Sequence, residues 1–211
     1  MPLTRDLPLN PDTSALLFID VQNFNAHREG GEFKGHARAD FETKLGWYFN
    51  TLEDETLPNM QRIQAACRAA DVEVMYTVIE SLTRDGRDRS LDYKITGFNV
   101  PKGSWDAQVH EAIAPGEDEI VLPKTSSSVF ISTNIDYVLR NLGVRQLVIS
   151  GLLTDQCIES AVRDACDLGY LVTLVTDACQ TLNAERHQNT LRAIAGYCRQ
   201  ITSDELIAEL A

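Results

Sequence analysis

The feature that most constrains this chain is a series of short apolar runs separated by longer polar stretches. Five runs stand out, at residues 15–19, 72–79, 119–123, 146–150 and 171–176, and a weaker sixth lies at 198–201. The five are nearly continuous in apolar and β-branched residues, which is typical of strands covered on both faces of a parallel sheet. The runs therefore predict a core of five to six strands.

Helical patterns fill the intervals between these runs. They lie at residues 57–71, 132–143, 154–169, 183–196 and 203–210. The pattern at 154–169 places apolar residues at helical spacing and ends on a glycine. Strands that alternate with helices predict a doubly wound α/β fold with a mostly parallel sheet. A length of 211 residues fits one domain, 1–211.

The composition argues against several classes of function. A net charge of −12 disfavours a nucleic-acid binder, which needs clustered Lys and Arg, and leaves no basic patch for a membrane surface. No apolar run is long enough to span a membrane, and residues 1–14 carry no secretory signal. The five cysteines are odd in number and widely spaced, which favours reduced thiols in the cytoplasm over a disulfide framework.

Two long stretches interrupt the alternation of strands and helices. Residues 22–50 and 80–106 are polar and dotted with glycine, and loops of this length in a compact domain are usually functional or disordered. Each follows the carboxyl end of a predicted strand, the edge at which open α/β sheets bind ligands. We therefore expect a small-molecule substrate to bind beside these two stretches.

Three predicted strands end close to a reactive side chain. Asp20 ends "LLFID", Lys124 ends "IVLPK", and Cys157 follows "LVISGLLTDQ" at the first turn of a predicted helix. All strands of a parallel sheet end at the same edge, so these three residues are expected to converge. A helix N-terminus and a nearby lysine lower the pKa of a thiol, and a carboxylate can carry its proton to a leaving amine.

Each of these residues has a simpler explanation when taken alone. A cysteine is most often a buried core residue, an aspartate after a strand can cap the next turn, and a lysine is most often a solvated charge. Only the joint placement at one edge favours chemistry, and the residues by themselves leave the two explanations about equally supported.

Three segments resemble the signature segments of the isochorismatase-like cysteine hydrolases. They are "LLFIDVQNFN", "PKTSSSVF" and "VISGLLTDQCIESAVRDACDLGYLVTLVTDAC", and they agree with that family in order, spacing and strand context. The resemblance implies a three-layer α/β/α fold and a catalytic triad of Cys157, Asp20 and Lys124. It also implies a cis peptide at Leu152–Leu153 and an oxyanion hole formed by the backbone N–H groups of Leu153 and Cys157.

One departure from the family narrows the choice of activity. Its nicotinamidases carry a metal-binding Asp-x-His run after the second strand, whereas this chain reads "VIESLTRDGRDRS" there, with no histidine. The four histidines are scattered and are most simply surface or loop residues. We therefore expect no bound metal and no cofactor. Four residues are candidates for substrate binding: Phe24, Glu80, Arg84 and Phe130.

The sequence thus predicts a cysteine-dependent amidohydrolase that cleaves a C–N bond of a small amide, ureido or carbamoyl compound through a thioester. Two alternatives stay open: a vinyl-ether hydrolase of the isochorismatase type, and a non-enzymatic binding protein on the same fold. Members of the family often form dimers or tetramers, so the resemblance also implies a homo-oligomer.

Overall fold

The structure, a computed structural model, describes residues 4–36 and 38–211. Its strands are β1 (Ser14–Ile19), β2 (Glu73–Ile79), β3 (Ile120–Lys124), β4 (Gln146–Leu152), β5 (Leu171–Gln180) and β6 (Arg199–Ile201). They form one parallel sheet in the order β3-β2-β1-β4-β5-β6. All six predicted strands are confirmed. The strand order reverses between β1 and β4, and ligands of doubly wound folds bind at such a reversal.

Helices cover both faces of this sheet. They are α1 (Asn23–Ala26), α2 (Arg38–Thr51), α3 (Leu57–Ala69), α4 (Leu91–Thr96), α5 (Val129–Ser132), α6 (Ile135–Asn141), α7 (Glu159–Asp167), α8 (Ala184–Ile194) and α9 (Ser203–Leu210). In the part of the chain described here, none of them is long and apolar enough to cross a membrane.

Two apolar clusters join the helices to the sheet. Leu16 and Phe18 of β1 belong to the cluster that includes residues of α2, α3 and α9. Their neighbours Leu17 and Ile19 belong to the second cluster, with residues of α5, α6, α7 and α8. Successive side chains of a strand point to opposite faces, so both faces of β1 are buried. This arrangement confirms the three-layer α/β/α fold and explains why the strand sequences are apolar without alternation.

The prediction of a long loop at 22–50 is wrong in its second half. Helix α2 occupies residues 38–51 and continues through a single π turn, Leu52–Thr56, into α3. Tyr48 and Phe49 in this helix are fully buried. Gly46 and the polar residues around it hide the helical pattern, because aromatic packing on the sheet rather than helix propensity fixes this segment. The second stretch, 80–106, likewise contains the short helix α4.

The predicted helix at 132–143 is also shorter than the sequence pattern. The structure breaks it into α5 and α6, since Thr133 and Asn134 have non-helical backbone angles. The hydroxyl of Ser128 caps α5 by accepting a hydrogen bond from the backbone N–H of Ile131.

Candidate active site

Asp20, Lys124 and Cys157 meet beyond the carboxyl ends of β1, β3 and β4. Lys124 Nζ lies 2.8 Å from Asp20 Oδ2 and 3.3 Å from Cys157 Sγ. The side chains of Asp20 and Lys124 are fully buried, and Cys157 is only 5% exposed. Asp20 and Cys157 follow the two strands between which the strand order reverses. The structure therefore brings together the three residues that the sequence placed at one sheet edge.

The backbone and a neighbouring strand fix the position of Asp20. Its φ angle is +56°, in the left-handed region where aspartate is more common than most residues. Its N–H donates to the carbonyl of Thr77 in β2 (3.0 Å), and the Thr77 hydroxyl donates to Asp20 Oδ1 (2.9 Å). Oδ2 faces Lys124, yet no hydrogen-bond donor among the described residues is aligned with it. This oxygen is therefore available to take a proton from a nearby group.

Lys124 reaches the centre of the site from the edge strand β3. The preceding residue, Pro123, is tolerated there because edge strands leave some N–H groups without a ladder partner. In addition to Asp20 and Cys157, Nζ contacts the carbonyl oxygen of Ser126 at 2.8 Å. Two of the three N–H groups of the ammonium can therefore donate to Ser126 and Cys157, and Asp20 Oδ2 lies beside the same group as its ion-pair partner.

The electrostatics of the buried site favour an ion pair and a neutral thiol. Burial alone would lower the pKa of Lys124, but Asp20 and Cys157 raise it above its ordinary value. Burial is also the largest influence on Cys157; Lys124 opposes it and Asp20 adds to it, so the pKa of the thiol rises to about 12. The sequence predicted a lowered pKa for this thiol, and that prediction is wrong. Burial and the neighbouring carboxylate destabilise the thiolate more than the lysine stabilises it.

A tight strand-to-helix connection presents Cys157. Gly151 has a φ angle of +137°, and a Cβ atom there would lie 2.2 Å from the carbonyl oxygen of Ile19, so only glycine lets β1 and β4 approach this closely. The predicted cis peptide at Leu152–Leu153 is confirmed. A π turn, Thr154–Ile158, then leads into α7. The N–H of Leu153 donates no hydrogen bond to any described residue, which suits its predicted place in an oxyanion hole.

A cavity of about 390 Å³ opens onto the thiol. Its lining residues are Glu32, Asp92, Tyr93, Thr96, Phe98, Ser127, Gln156 and Cys157. A second cavity of about 220 Å³ is lined by three of the same residues, Glu32, Thr96 and Phe98, together with Phe24, Gly31, Gly97 and Asn99. Most of these residues belong to the stretches 22–50 and 80–106, which the sequence predicted to lie beside a substrate.

The structure separates the four predicted substrate-binding residues. Phe24 lines the smaller cavity. Glu80 instead accepts a hydrogen bond from the N–H of Gly103 (2.6 Å). Arg84 lines a separate surface cleft of about 650 Å³ that contains none of the three triad residues. Phe130 packs near Tyr170, with 6.1 Å between ring centroids. Of the four, Phe24 alone lines one of the two cavities described above, and the substrate-binding roles of all four stay predictions.

Sequence reasoning missed Glu32, Tyr93 and Gln156 in the cavity wall. Gln156 stands directly before Cys157, and that adjacency was a signal. Tyr93 lies in α4. The side chain of Ser90 caps this helix by accepting a hydrogen bond from the Tyr93 N–H, and a serine at that position is a sequence signal for the start of a helix. Glu32 had no signal, because only the folded loop removes it from water. This burial raises the pKa of Glu32 to about 7.

The histidines lie outside the cavity that contains Cys157. The ring of His27 packs edge-on against Trp105, and Nδ1 of His187 lies 2.9 Å from the hydroxyl of Thr154. In the described ranges, no three His, Cys, Asp or Glu side chains are grouped closely enough to hold a metal ion. All five cysteines are free thiols. The chemistry available here is that of a thiol, a carboxylate and an ammonium group.

Comparisons with known proteins agree with this fold. A protein-family model described as the isochorismatase domain matches residues 14–205. The ureidoacrylate amidohydrolase RutB of Rhizobium rhizogenes is 30% identical over 195 residues, which cover 85% of this chain and 75% of that relative. A cysteine hydrolase structure from Pseudomonas syringae pv. phaseolicola has a TM-score of 0.82 at 23% identity, covering 100% of this chain and 97% of the other. The N-carbamoylsarcosine amidase of Thermoplasma acidophilum has a TM-score of 0.69 at 23% identity, covering 91% and 97%.

Proposed function

This chain belongs to the isochorismatase family and hydrolyses C–N bonds as its amidohydrolase relative does, and we propose that it acts on small amide, ureido or carbamoyl compounds through a thioester at Cys157. The observation that supports this most is the contact of Lys124 Nζ with both Cys157 Sγ and Asp20 Oδ2, at 3.3 Å and 2.8 Å, beside a cavity. In this proposal Cys157 is the nucleophile, Asp20 the proton carrier and Lys124 the fixed positive charge.

The first half of the reaction forms the thioester. Cys157 Sγ attacks the substrate carbonyl carbon while its proton passes to Asp20 Oδ2. The carbonyl oxygen becomes an oxyanion, and in this proposal the backbone N–H groups of Leu153 and Cys157 bind it. One such donor is worth roughly 3–4 kcal/mol in the transition state. The tetrahedral intermediate then collapses: the C–N bond breaks, Asp20 returns the proton to the leaving nitrogen, and an amine or ammonia departs.

The second half regenerates the enzyme. Water attacks the thioester carbon, and its proton passes to Asp20. When the C–S bond breaks, the sulfur takes the proton back from Asp20, and the carboxylic or carbamic acid leaves. Lys124 stays protonated throughout, because Asp20 and Cys157 raise its pKa. A resting thiol with a raised pKa fits this scheme, since the proton leaves only as the sulfur attacks and an acceptor is already in place.

The test is ammonia release across a panel of amide, ureido and carbamoyl compounds, with pyruvate release from isochorismate as the counter-assay. We expect ammonia from at least one compound and a loss of at least about a thousandfold in kcat/KM for Cys157→Ala. The matched control is Cys166→Ala, which removes a thiol from α7 that does not line the catalytic cavity and is expected to keep wild-type turnover. Full turnover by Cys157→Ala, or release of pyruvate alone, would show the proposal to be wrong.

A further inference from the structure

The charges around the catalytic cavity are all of one sign. Of the residues that line either of the two cavities, Glu32 and Asp92 carry a carboxylate, and the described lining residues include no lysine and no arginine. Glu32 lines both cavities. A substrate that approaches Cys157 through this cavity therefore passes two acidic side chains and no lysine or arginine of the described lining.

The cations near the cavity are engaged by the protein itself. Lys124 is buried, and its ammonium group already hydrogen-bonds to Ser126 and Cys157 and pairs with Asp20. Arg89 donates from Nε to the Gly86 carbonyl and from Nη1 to the Phe98 carbonyl, at 2.9 and 2.7 Å.

Lys34, from the same loop as Glu32, pairs with Asp106 at 3.5 Å. The cleft that contains Arg84, Arg87 and Lys102 has no lining residue in common with the catalytic cavity. These cations are therefore engaged by the protein or lie in a separate cleft, and the described lining of the two cavities offers no cation to a carboxylate on a substrate.

Glu32 itself has unused hydrogen-bonding capacity. Among the described residues no donor hydrogen-bonds to it and no cation pairs with it, and burial is the cause of its raised pKa, about 7. A half-buried carboxylate without a partner is costly unless something binds to it. N–H groups or a positive charge on a ligand would supply what the protein does not.

We infer that this site selects amide or ureido substrates that are neutral or positively charged, with Glu32 binding N–H groups at the end away from the scissile bond. This inference rests on the proposed function for the reaction, though not for the charge preference of the cavity. The inferred charge preference sets this chain apart from its relative RutB. The name of that relative gives ureidoacrylate as its substrate; ureidoacrylate is a carboxylate, and a carboxylate is disfavoured beside Glu32 and Asp92.

Labelling of Cys157 tests the charge preference without any need for turnover. Three methanethiosulfonates of similar size are used at pH 8.5: aminoethyl (cationic), hydroxyethyl (neutral) and sulfonatoethyl (anionic). The rate of modification is read at the peptide that contains Cys157 by mass spectrometry. Each rate is divided by that of free cysteine with the same reagent, which removes the intrinsic reactivity of the three compounds.

The variants are Glu32→Gln and, as a matched control, Glu29→Gln. Glu29 is an exposed acid of the same loop that lines neither cavity. We expect the cation-to-anion rate ratio of the wild type to fall about tenfold in Glu32→Gln, the size of effect that one nearby charge exerts in a partly buried site. In Glu29→Gln it is expected to change by less than about twofold, because solvent screens an exposed charge. An equal ratio in wild type and Glu32→Gln would overturn the inference.

A second arm measures kcat/KM for pairs of compounds that differ only in a terminal carboxamide or carboxylate, such as N-carbamoylglycinamide and N-carbamoylglycine. The carboxamide member is expected to be the better substrate by at least about tenfold, and Glu32→Gln is expected to narrow the gap through KM. A preference for the carboxylate member would overturn the inference while leaving the proposed function intact. Charge-selective labelling without turnover of any compound would support the charge preference and contradict the proposed function.

Discussion

Replacement of Lys124 by methionine tests whether the catalytic charges are a true buried ion pair. Methionine keeps most of the volume of lysine and removes the ammonium group. Asp20 and Lys124 are both fully buried, so the variant leaves the carboxylate of Asp20 without a cation and without access to water. Removing one partner of a buried pair costs about 3–5 kcal/mol.

Protonation sets the upper limit of that loss. The variant can remove the unpaired charge by binding a proton at Asp20. At pH 7.5, protonating a carboxylic acid of ordinary pKa costs about 5 kcal/mol, and the cost falls by about 1.4 kcal/mol for each pH unit. Relative to wild type, Lys124→Met is therefore expected to lose more stability as the pH rises, and to recover roughly 3 kcal/mol between pH 7.5 and pH 5.5.

The assay is urea unfolding of four proteins at these two pH values, followed by circular dichroism: wild type, Lys124→Met, Asp20→Asn and the double variant. The double variant is expected to be more stable than Lys124→Met at pH 7.5, because it contains no unpaired charge. Lys94→Met, which removes an exposed lysine from α4, is the control and is expected within about 0.5 kcal/mol of wild type. A loss below about 1 kcal/mol for Lys124→Met, equal at both pH values, would refute the reasoning.

Two further expectations follow from the shifted pKa values. Because burial raises the pKa of Cys157 to about 12, its alkylation by iodoacetamide is expected to speed up about tenfold per pH unit from pH 6.5 to 9.5; a plateau below pH 8 would contradict this. Glu119 accepts hydrogen bonds from Arg68, which lowers the pKa of Glu119 to about 2. The stabilisation that this carboxylate contributes is therefore complete above the ordinary pKa of 4.5 and declines as the pH falls towards 2. The Arg68 side chain is 39% exposed, so solvent screens its charge. Glu119→Gln is therefore expected to lower the free energy of unfolding by only about 1–2 kcal/mol at pH 7 and by less at pH 3. Urea unfolding measures this, and an equal loss at both pH values would refute the expectation.

The sheet and the triad were predictable because simple rules govern both. Strands buried on both faces must be apolar throughout, so the run that contains Leu16 and Leu17 is recognisable without any partner information. The parallel direction of the strands then places their carboxyl ends together. For Asp20, Lys124 and Cys157 this argument from topology was sufficient to predict their meeting.

Helix α2 and the cavity wall were not predictable in the same way. The helix is held by the burial of Tyr48 and Phe49 against the sheet, and its own sequence, broken by Gly46, shows no clear apolar face. Glu32 looks like any surface acid in the sequence, and only the folded loop brings it into the lining of both cavities. The pKa of Cys157 was predicted with the wrong sign because helix position and lysine proximity can be read from sequence, whereas depth of burial cannot.

The measurement that tests the central claim most directly is the mass of the enzyme during turnover. A compound that releases ammonia is mixed with the protein, the reaction is stopped with acid within the first turnovers, and the intact protein and its peptides are weighed. We expect one acyl group on the peptide that contains Cys157, and its disappearance once the substrate is exhausted. Turnover that continues with no acyl group on Cys157, and that persists in Cys157→Ala, would contradict the account.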